Sequence, residues 1–200
     1  MDESTMITKT DLKERGWTES VIRKHLGEPD ALKNMPYFKK TGKMQLYKLT
    51  RVIEMEQNET VMEDLKKARK RSELAKKRAS KLSEKLKEYI MKLEITVPLM
   101  PEKTLIENAC SHYNSLWADR GKDDKHASPS DDEVFLNRIA VNYLRHELTI
   151  YEDELVRMFG KIGAVEGRPL LKERILDLIG DSYPFLANEC DNQWIKLYES

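Results

Sequence analysis

The sequence predicts a mainly α protein in three parts. Residues 1–57 form a small head of two short helices and a β-hairpin, 58–95 a long basic heptad helix, and 96–200 an all-α acidic domain. Three observations predict this. Apolar residues recur at helical steps of three and four through most of the chain, and strand-like runs are confined to a short stretch before residue 48. No Gly or Pro interrupts Glu59 to Ile95. Charge is segregated: 35 basic and 35 acidic side chains cancel over 200 residues, yet residues 1–95 carry 23 and 16, and 96–200 carry 12 and 19. A basic half of this kind points to a polyanionic partner, or to attraction between the two halves themselves.

In the head, Thr8 followed three residues on by Asp11 is a capping-type start, and Leu12 anchors a short helix that Gly16 ends. Trp17 fills a tight turn and Thr18 is the next N-cap. Val21, Ile22 and Leu26 form the buried stripe of a second helix, stopped by Gly27 before Glu28-Pro29-Asp30. The short gap between these helices is of helix-turn-helix length. Met35 to Lys40 and Lys43 to Tyr47 read as two strands about a Thr41-Gly42 turn, and Thr50 to Ile53 restarts a helix. Trp17, Tyr37, Phe38 and Tyr47 are expected in the core of this small unit rather than as base-stacking platforms.

Along 59–95, Val61, Leu65, Ala68, Ser72, Ala75, Ala79, Leu82, Leu86, Tyr89 and Leu93 alternate at steps of three and four, the pattern of a coiled-coil seam. A homodimer through this helix is the expected consequence. Lys66, Lys67, Arg69, Lys70, Arg71, Lys76, Lys77 and Arg78 lie between the seam positions as a dense basic band, which serves either as a solvated face or as a phosphate-contacting surface.

Pro98 and Pro101 break the helix and set a domain boundary. A helix over about Glu102 to Asp119 follows, with Leu105, Ile106, Ala109, Cys110, Tyr113, Leu116 and Trp117 on one broad face, ended by Gly121. Residues 121–129 are loop-like. Ser130 with Glu133 reads as a capping box for one long helix to Phe159, stopped by Gly160 and Gly163. A shorter helix is expected over Pro169 to Ile179, ended by Gly180, with one more over Pro184 to Cys190.

The run from Ile7 to Lys24, the hairpin closing on Met44-Gln45-Leu46-Tyr47, and the helix behind it resemble the winged helix-turn-helix of MerR-type regulators and phage excisionases. The same residues are similar to the C-terminal DNA-binding domain of the xeroderma pigmentosum group A repair proteins. There the likeness lies in an Ile-Thr-Lys-Thr opening, a Met-x-Leu-Tyr run and a long charged helix. The resemblance covers about residues 7–55. It implies that Thr18, Ser20, Arg23 and Lys24 approach the major groove of duplex DNA, and that Lys39, Lys40 and Lys43 on the wing approach phosphates or the minor groove. Lys9, Lys13 and Arg15 would anchor the DNA backbone. Independently of the resemblance, Arg offers a fork matched to guanine edges and Lys a mobile charge for phosphate. The zinc module that precedes this domain in the repair proteins is not implied, because the chain has no four-cysteine set.

The expected function is therefore non-catalytic DNA binding, as a regulator or as a repair or mobile-element accessory factor, with an unidentified protein partner for 96–200. Two other readings stand beside it. One is a helical scaffold that binds no DNA. The other is a His-based enzyme, since His112 and His146 could face each other between helices, and Arg120 with His126 is spaced like the Arg-x(4–6)-His signature of all-α HEPN ribonucleases. Cys110 and Cys190 sit in no CxxC, so neither a zinc site nor a disulfide framework is expected, and no metal or other cofactor. No apolar run of spanning length and no signal-peptide pattern occurs. The expected location is cytoplasmic, associated with the nucleoid, or nuclear in a eukaryote.

Overall fold

The computed structural model describes residues 5–34, 43–122 and 126–198, and the chain divides by compactness into two units, Met1–Arg78 and Ala79–Ser200. Among the described residues the protein is mainly helical, with nine α-helices and one small antiparallel sheet. No helix among them is long and apolar enough to cross a membrane.

The first unit runs β1 (Met6–Thr8), α1 (Lys9–Glu14), α2 (Glu19–Val21, continued by a π-helical turn, Ile22–Leu26), β2 (Ala31–Asn34), β3 (Lys43–Lys48), α3 (Leu49–Glu56) and the start of α4 (Glu59–Lys92). The capping box forms as the sequence predicts. Thr8 N–H donates to Asp11 Oδ2 (2.7 Å) and Asp11 N–H donates to Thr8 Oγ1 (3.2 Å). The Thr8 N–H, and after it the Thr8 hydroxyl donating to the same Oδ2 (2.9 Å), hold the Asp11 carboxyl below its usual pKa. Leu12, Trp17, Ile22, Leu26, Tyr47, Val52 and Val61 form one buried core, in agreement with the expectation for Trp17 and Tyr47. Tyr37 and Phe38 lie outside the described residues.

Two features of the sheet differ from the sequence reading. Strand β1 was not expected: three residues are too few to show a period, and Ile7 earns its place only by pairing opposite Tyr47. The strand that pairs with β3 on its other side is Ala31–Asn34, with Leu32 opposite Gln45, ahead of the expected Met35–Lys40. That run and the Thr41-Gly42 turn lie outside the described residues. Ala31 to Asn34 has weak strand propensity, and its position is fixed instead by register, with Asp30 N–H donating to Leu46 O at 2.9 Å. Thr18 has the extended backbone of an N-cap, but its hydroxyl meets Ser20 Oγ at 3.1 Å rather than a backbone N–H.

The second unit contains the end of α4, then α5 (Glu102–Asp119), α6 (Glu133–Glu147), α7 (Tyr151–Met158), α8 (Ala164–Ser182), a 3-10 turn (Pro184–Leu186) and α9 (Ala187–Tyr198). Its core includes Leu86 and Ile90 of α4 together with Leu105, Leu144, Met158, Leu171 and Ile175. Helix α4 stops at Lys92, and the extended segment after it is held by polar contacts. Tyr183 Oη donates to Pro98 O (2.6 Å) and accepts Met100 N–H (3.0 Å), while the Arg174 guanidinium donates to the carbonyls of Ile90 and Leu93.

The helix expected from Ser130 to Phe159 is two helices. Thr149 Oγ1 donates to Arg145 O (2.6 Å) and accepts Tyr151 N–H (3.3 Å), so one hydroxyl closes α6 and opens α7 where the ladder would have continued. The Ser130–Glu133 capping box does not form. Asp132 is the N-cap of α6, accepting Phe135 N–H at 3.2 Å. Helix α8 starts five residues before Pro169 and passes through Gly180, where a Cβ would meet Ala187 only at 3.8 Å. The final helix begins after Leu186 and extends well past Cys190. Gly163 has φ +88°, and a Cβ there would lie 2.7 Å from Ser83 Cα, so a side chain is excluded on two counts.

The ends of the expected seam are occupied within the chain. Val61, Leu65 and Ala68 pack on the head core, and Leu86 and Leu93 on the second core. Between them Leu82 is 49% exposed, while Ile90, off the seam, is 0% exposed. Ile90→Ala is therefore expected to destabilise the second unit by about 2–5 kcal/mol, and Leu82→Ala by less than about 0.5 kcal/mol. Denaturant melts of the two variants check this, and equal losses would mean that Leu82 is packed against something.

Candidate functional site

The residues expected to meet DNA fall into three groups. Lys9, Lys13 and Arg23 all act electrostatically on the exposed carboxylate of Glu19, so they share one face of α1 and α2. The Lys9–Glu19 ion pair closes that face and, with its neighbours, holds the Glu19 carboxyl below its usual pKa. Thr18 is half-buried, Ser20 is exposed beside Arg23, and Lys43 is exposed at the start of β3. Lys39 and Lys40 lie outside the described residues.

Arg15 and Lys24 are engaged elsewhere. Arg15 Nε donates to Glu56 Oε1 (3.0 Å), and the buried Trp17 indole N–H donates to the same oxygen at 2.9 Å. These contacts, Arg15 first, keep the Glu56 carboxyl below its usual pKa. Lys24 Nζ lies 2.6 Å and His25 Nε2 2.8 Å from Asp64 Oδ2, across to α4. The C-terminal end of α2 is held by Arg51 of α3, which donates to Leu26 O and pairs with Asp30 at 3.1 Å. Asp30 in turn accepts Lys48 N–H at 3.0 Å, the main reason its carboxyl is held low. Glu56 and Asp64 were not singled out in the sequence, where each is one acid among many.

An open groove of about 1250 Å³ runs along this unit between the α1–α2 turn and α4. Lys13, Arg15, Lys66, Arg69 and Lys76 line it, together with Glu14, Glu19, Glu56 and Glu73. The cations of α4 from Lys66 through Arg78 are all exposed. The basic band and the α1–α2 turn thus share one surface.

The second unit holds a separate cavity of about 420 Å³ between α5, α6 and the first turn of α7. The two histidines that the sequence set facing each other both line it. His112 Nε2 lies 3.5 Å from Glu147 Oε1, and His146 Nδ1 lies 2.5 Å from Glu152 Oε1. Arg120 lines the cavity as well, stacked 5.2 Å over Trp117, but His126 does not, meeting Asn114 Nδ2 at 3.3 Å instead. The Arg120–His126 spacing therefore joins no common site. Arg145 is 8% exposed, because α9 covers it, and its Nη1 donates to Gln193 Oε1 at 3.0 Å. Both thiols are buried, and burial pushes Cys190 up to about 12 and Cys110 above its usual value, so neither is a nucleophile at neutral pH. No group of three or more His, Cys, Asp or Glu among the described residues is placed to hold a metal ion.

The chain matches no family model, curated protein or solved structure.

Lys24, then His25, lowers the Asp64 carboxyl from 3.8 to about 2. The stability this contributes is complete above the unfolded value and is lost as pH falls from about 4 through about 2. Amide protection factors of residues 21–26, corrected for the intrinsic exchange rate at each pH, should fall over that window in the wild type. Asp64→Asn should exchange faster at pH 6 and show a flatter acid dependence; an unchanged acid profile would show that Asp64 does not hold α2.

Proposed function

We propose that the first unit is a winged helix-turn-helix that binds duplex DNA without catalysing a reaction, serving as a regulator or as a repair or mobile-element accessory factor. One observation carries this reading: the groove brings Lys13 of α1 onto the same surface as Lys66, Arg69 and Lys76 of α4. Unit 1–78 has 19 basic against 13 acidic side chains, so a duplex phosphate backbone meets a net attractive field. In this reading α2 is the recognition helix, with Ser20 and Arg23 exposed toward base edges. The β2–β3 pair is the wing, bearing exposed Lys33 and Lys43. Arg15 and Lys24 act as struts that fix α1 and α2 rather than as first contacts, because their carboxylate partners already neutralise them.

A labelled duplex titrated with full-length protein across a salt series tests the proposal. Log affinity is expected to fall linearly with log salt, and Lys13→Glu with Arg23→Glu to weaken binding more than about tenfold at low salt while reducing the slope by about 0.9 per lost phosphate contact. Lys66→Glu with Lys76→Glu should weaken binding similarly. Unchanged affinity in both double variants overturns the reading.

A further inference from the structure

Three arginines surround the 420 Å³ cavity of the second unit, and among the described residues none of them forms an ion pair. Each stacks on an aromatic ring instead: Arg120 on Trp117 (5.2 Å), Arg138 on Phe135 (5.3 Å) and Arg145 on Tyr151 (5.2 Å). Carboxylates are not scarce, since residues 79–200 carry 22 acidic side chains against 16 basic. The two that line the cavity, Glu147 and Glu152, are each engaged by a histidine.

Arg145 is the most constrained of the three. It is buried, and it donates only to uncharged partners: Nη1 to Gln193 Oε1 (3.0 Å), Nη2 to Asn142 Oδ1 (3.2 Å), and both Nε and Nη2 to His146 Nε2 (3.2 and 2.7 Å). Because Nε2 accepts, His146 carries its proton on Nδ1 and donates it to Glu152. The Nε/Nη2 edge of a guanidinium is the one that fits two oxygens of a carboxylate or phosphate side by side. Here that edge rests on one neutral nitrogen. Burial also pulls the Arg145 pKa below its usual value, with Tyr151 and Glu152 opposing this at longer range, so a direct anion would relieve a charge that is poorly compensated.

The rest of the wall is aromatic and apolar, with Tyr113, Trp117 and Tyr143 beside Leu116 and Ile139. The volume is within the range that holds a small organic ligand, about 300–1,000 Å³.

We infer that this cavity binds a nucleoside monophosphate, its phosphate between Arg145 and the exposed Arg120 and Arg138, its base against the tyrosine and tryptophan rings. The site belongs to the second unit alone and does not rest on DNA binding by the first.

Calorimetric titration of the full-length protein with AMP, adenosine and inorganic phosphate tests this. AMP should bind more tightly than either fragment. Arg120→Ala with Arg138→Ala, at exposed positions that leave the fold intact, should weaken AMP by about tenfold or more, the loss expected of charge-assisted hydrogen bonds. Arg145→Lys, which keeps the charge and removes the fork, should weaken it further, with folding checked by circular dichroism. No AMP binding at millimolar concentration overturns the inference. So does adenosine or phosphate binding as tightly as AMP, or AMP binding undiminished in the double variant, which would place it elsewhere on the chain.

Discussion

The first unit depends on the contact that joins Trp17, Arg15 and Glu56. Helix α1 has six residues and α2 three before its π turn, both far shorter than a helix that holds itself in water. Their geometry must come from outside. Burying the Trp17 ring ties the turn between them to the core, and a buried indole N–H needs an acceptor, which the end of α3 supplies through Glu56. A carboxylate drawn into that position needs a cation, and Arg15 meets it from the turn. Asp64 does the same for the π turn from α4, and Arg51 with Asp30 for its end. Short helices that would fray alone are thus pinned by charged side chains from α3 and α4. Part of the basic character of the head is therefore structural.

Helix α4 answers to a different constraint. A straight helix drifts relative to a strict seven-residue repeat, so one apolar stripe cannot face a single neighbour over 34 residues without supercoiling. The chain uses the stripe in two pieces. Val61 and Leu65 serve one core, and Leu86 with Ile90, a position off the heptad, serves the other. The basic positions that fill the interval remain exposed. A homodimer along the whole seam would have to displace both sets of intramolecular contacts, whereas a phosphate surface needs only the exposed interval.

Where the structure follows a local rule, it was legible in the sequence. The Thr8–Asp11 capping box, the stop of α5 at Gly121 and the burial of Trp17 and Tyr47 each need only a few neighbouring residues. What depended on distant partners was not legible. β1 and β2 exist because β3 lies between them, and neither carries a strand period of its own. The break between α6 and α7 rests on one threonine hydroxyl within an unbroken apolar pattern. Asp132, rather than Ser130, caps α6, a choice between two side chains two residues apart that each fit the rule. In the candidate sites the cations were visible but their occupancy was not, since Glu56 and Asp64 are distant in sequence from Arg15 and Lys24. That His112 and His146 line one cavity accords with the sequence reading that the two could meet between helices. The burial of Arg145 could not be anticipated, because it follows from α9, more than forty residues further along the chain.

Arg145 also distinguishes a packed core from a site. A buried guanidinium is costly to desolvate, and replacing a buried charge by a well-packed apolar side chain is often neutral or stabilising. Stability alone therefore gives little reason to keep an arginine here, beneath α9 and beside the buried Leu144, Tyr151 and Cys190. Its neighbours do not compensate it as a structural cation is compensated in the head, where Arg15, Lys24 and Arg51 each meet a carboxylate directly. Asn142 and Gln193 instead orient the fork, and Gln193 is itself fixed by donating to Glu189 at 2.9 Å. His146 covers the remaining edge on the side of the cavity. An oriented, desolvated cation with a replaceable neutral acceptor is what recognition of an oxyanion requires, because the desolvation cost is met in folding rather than at binding.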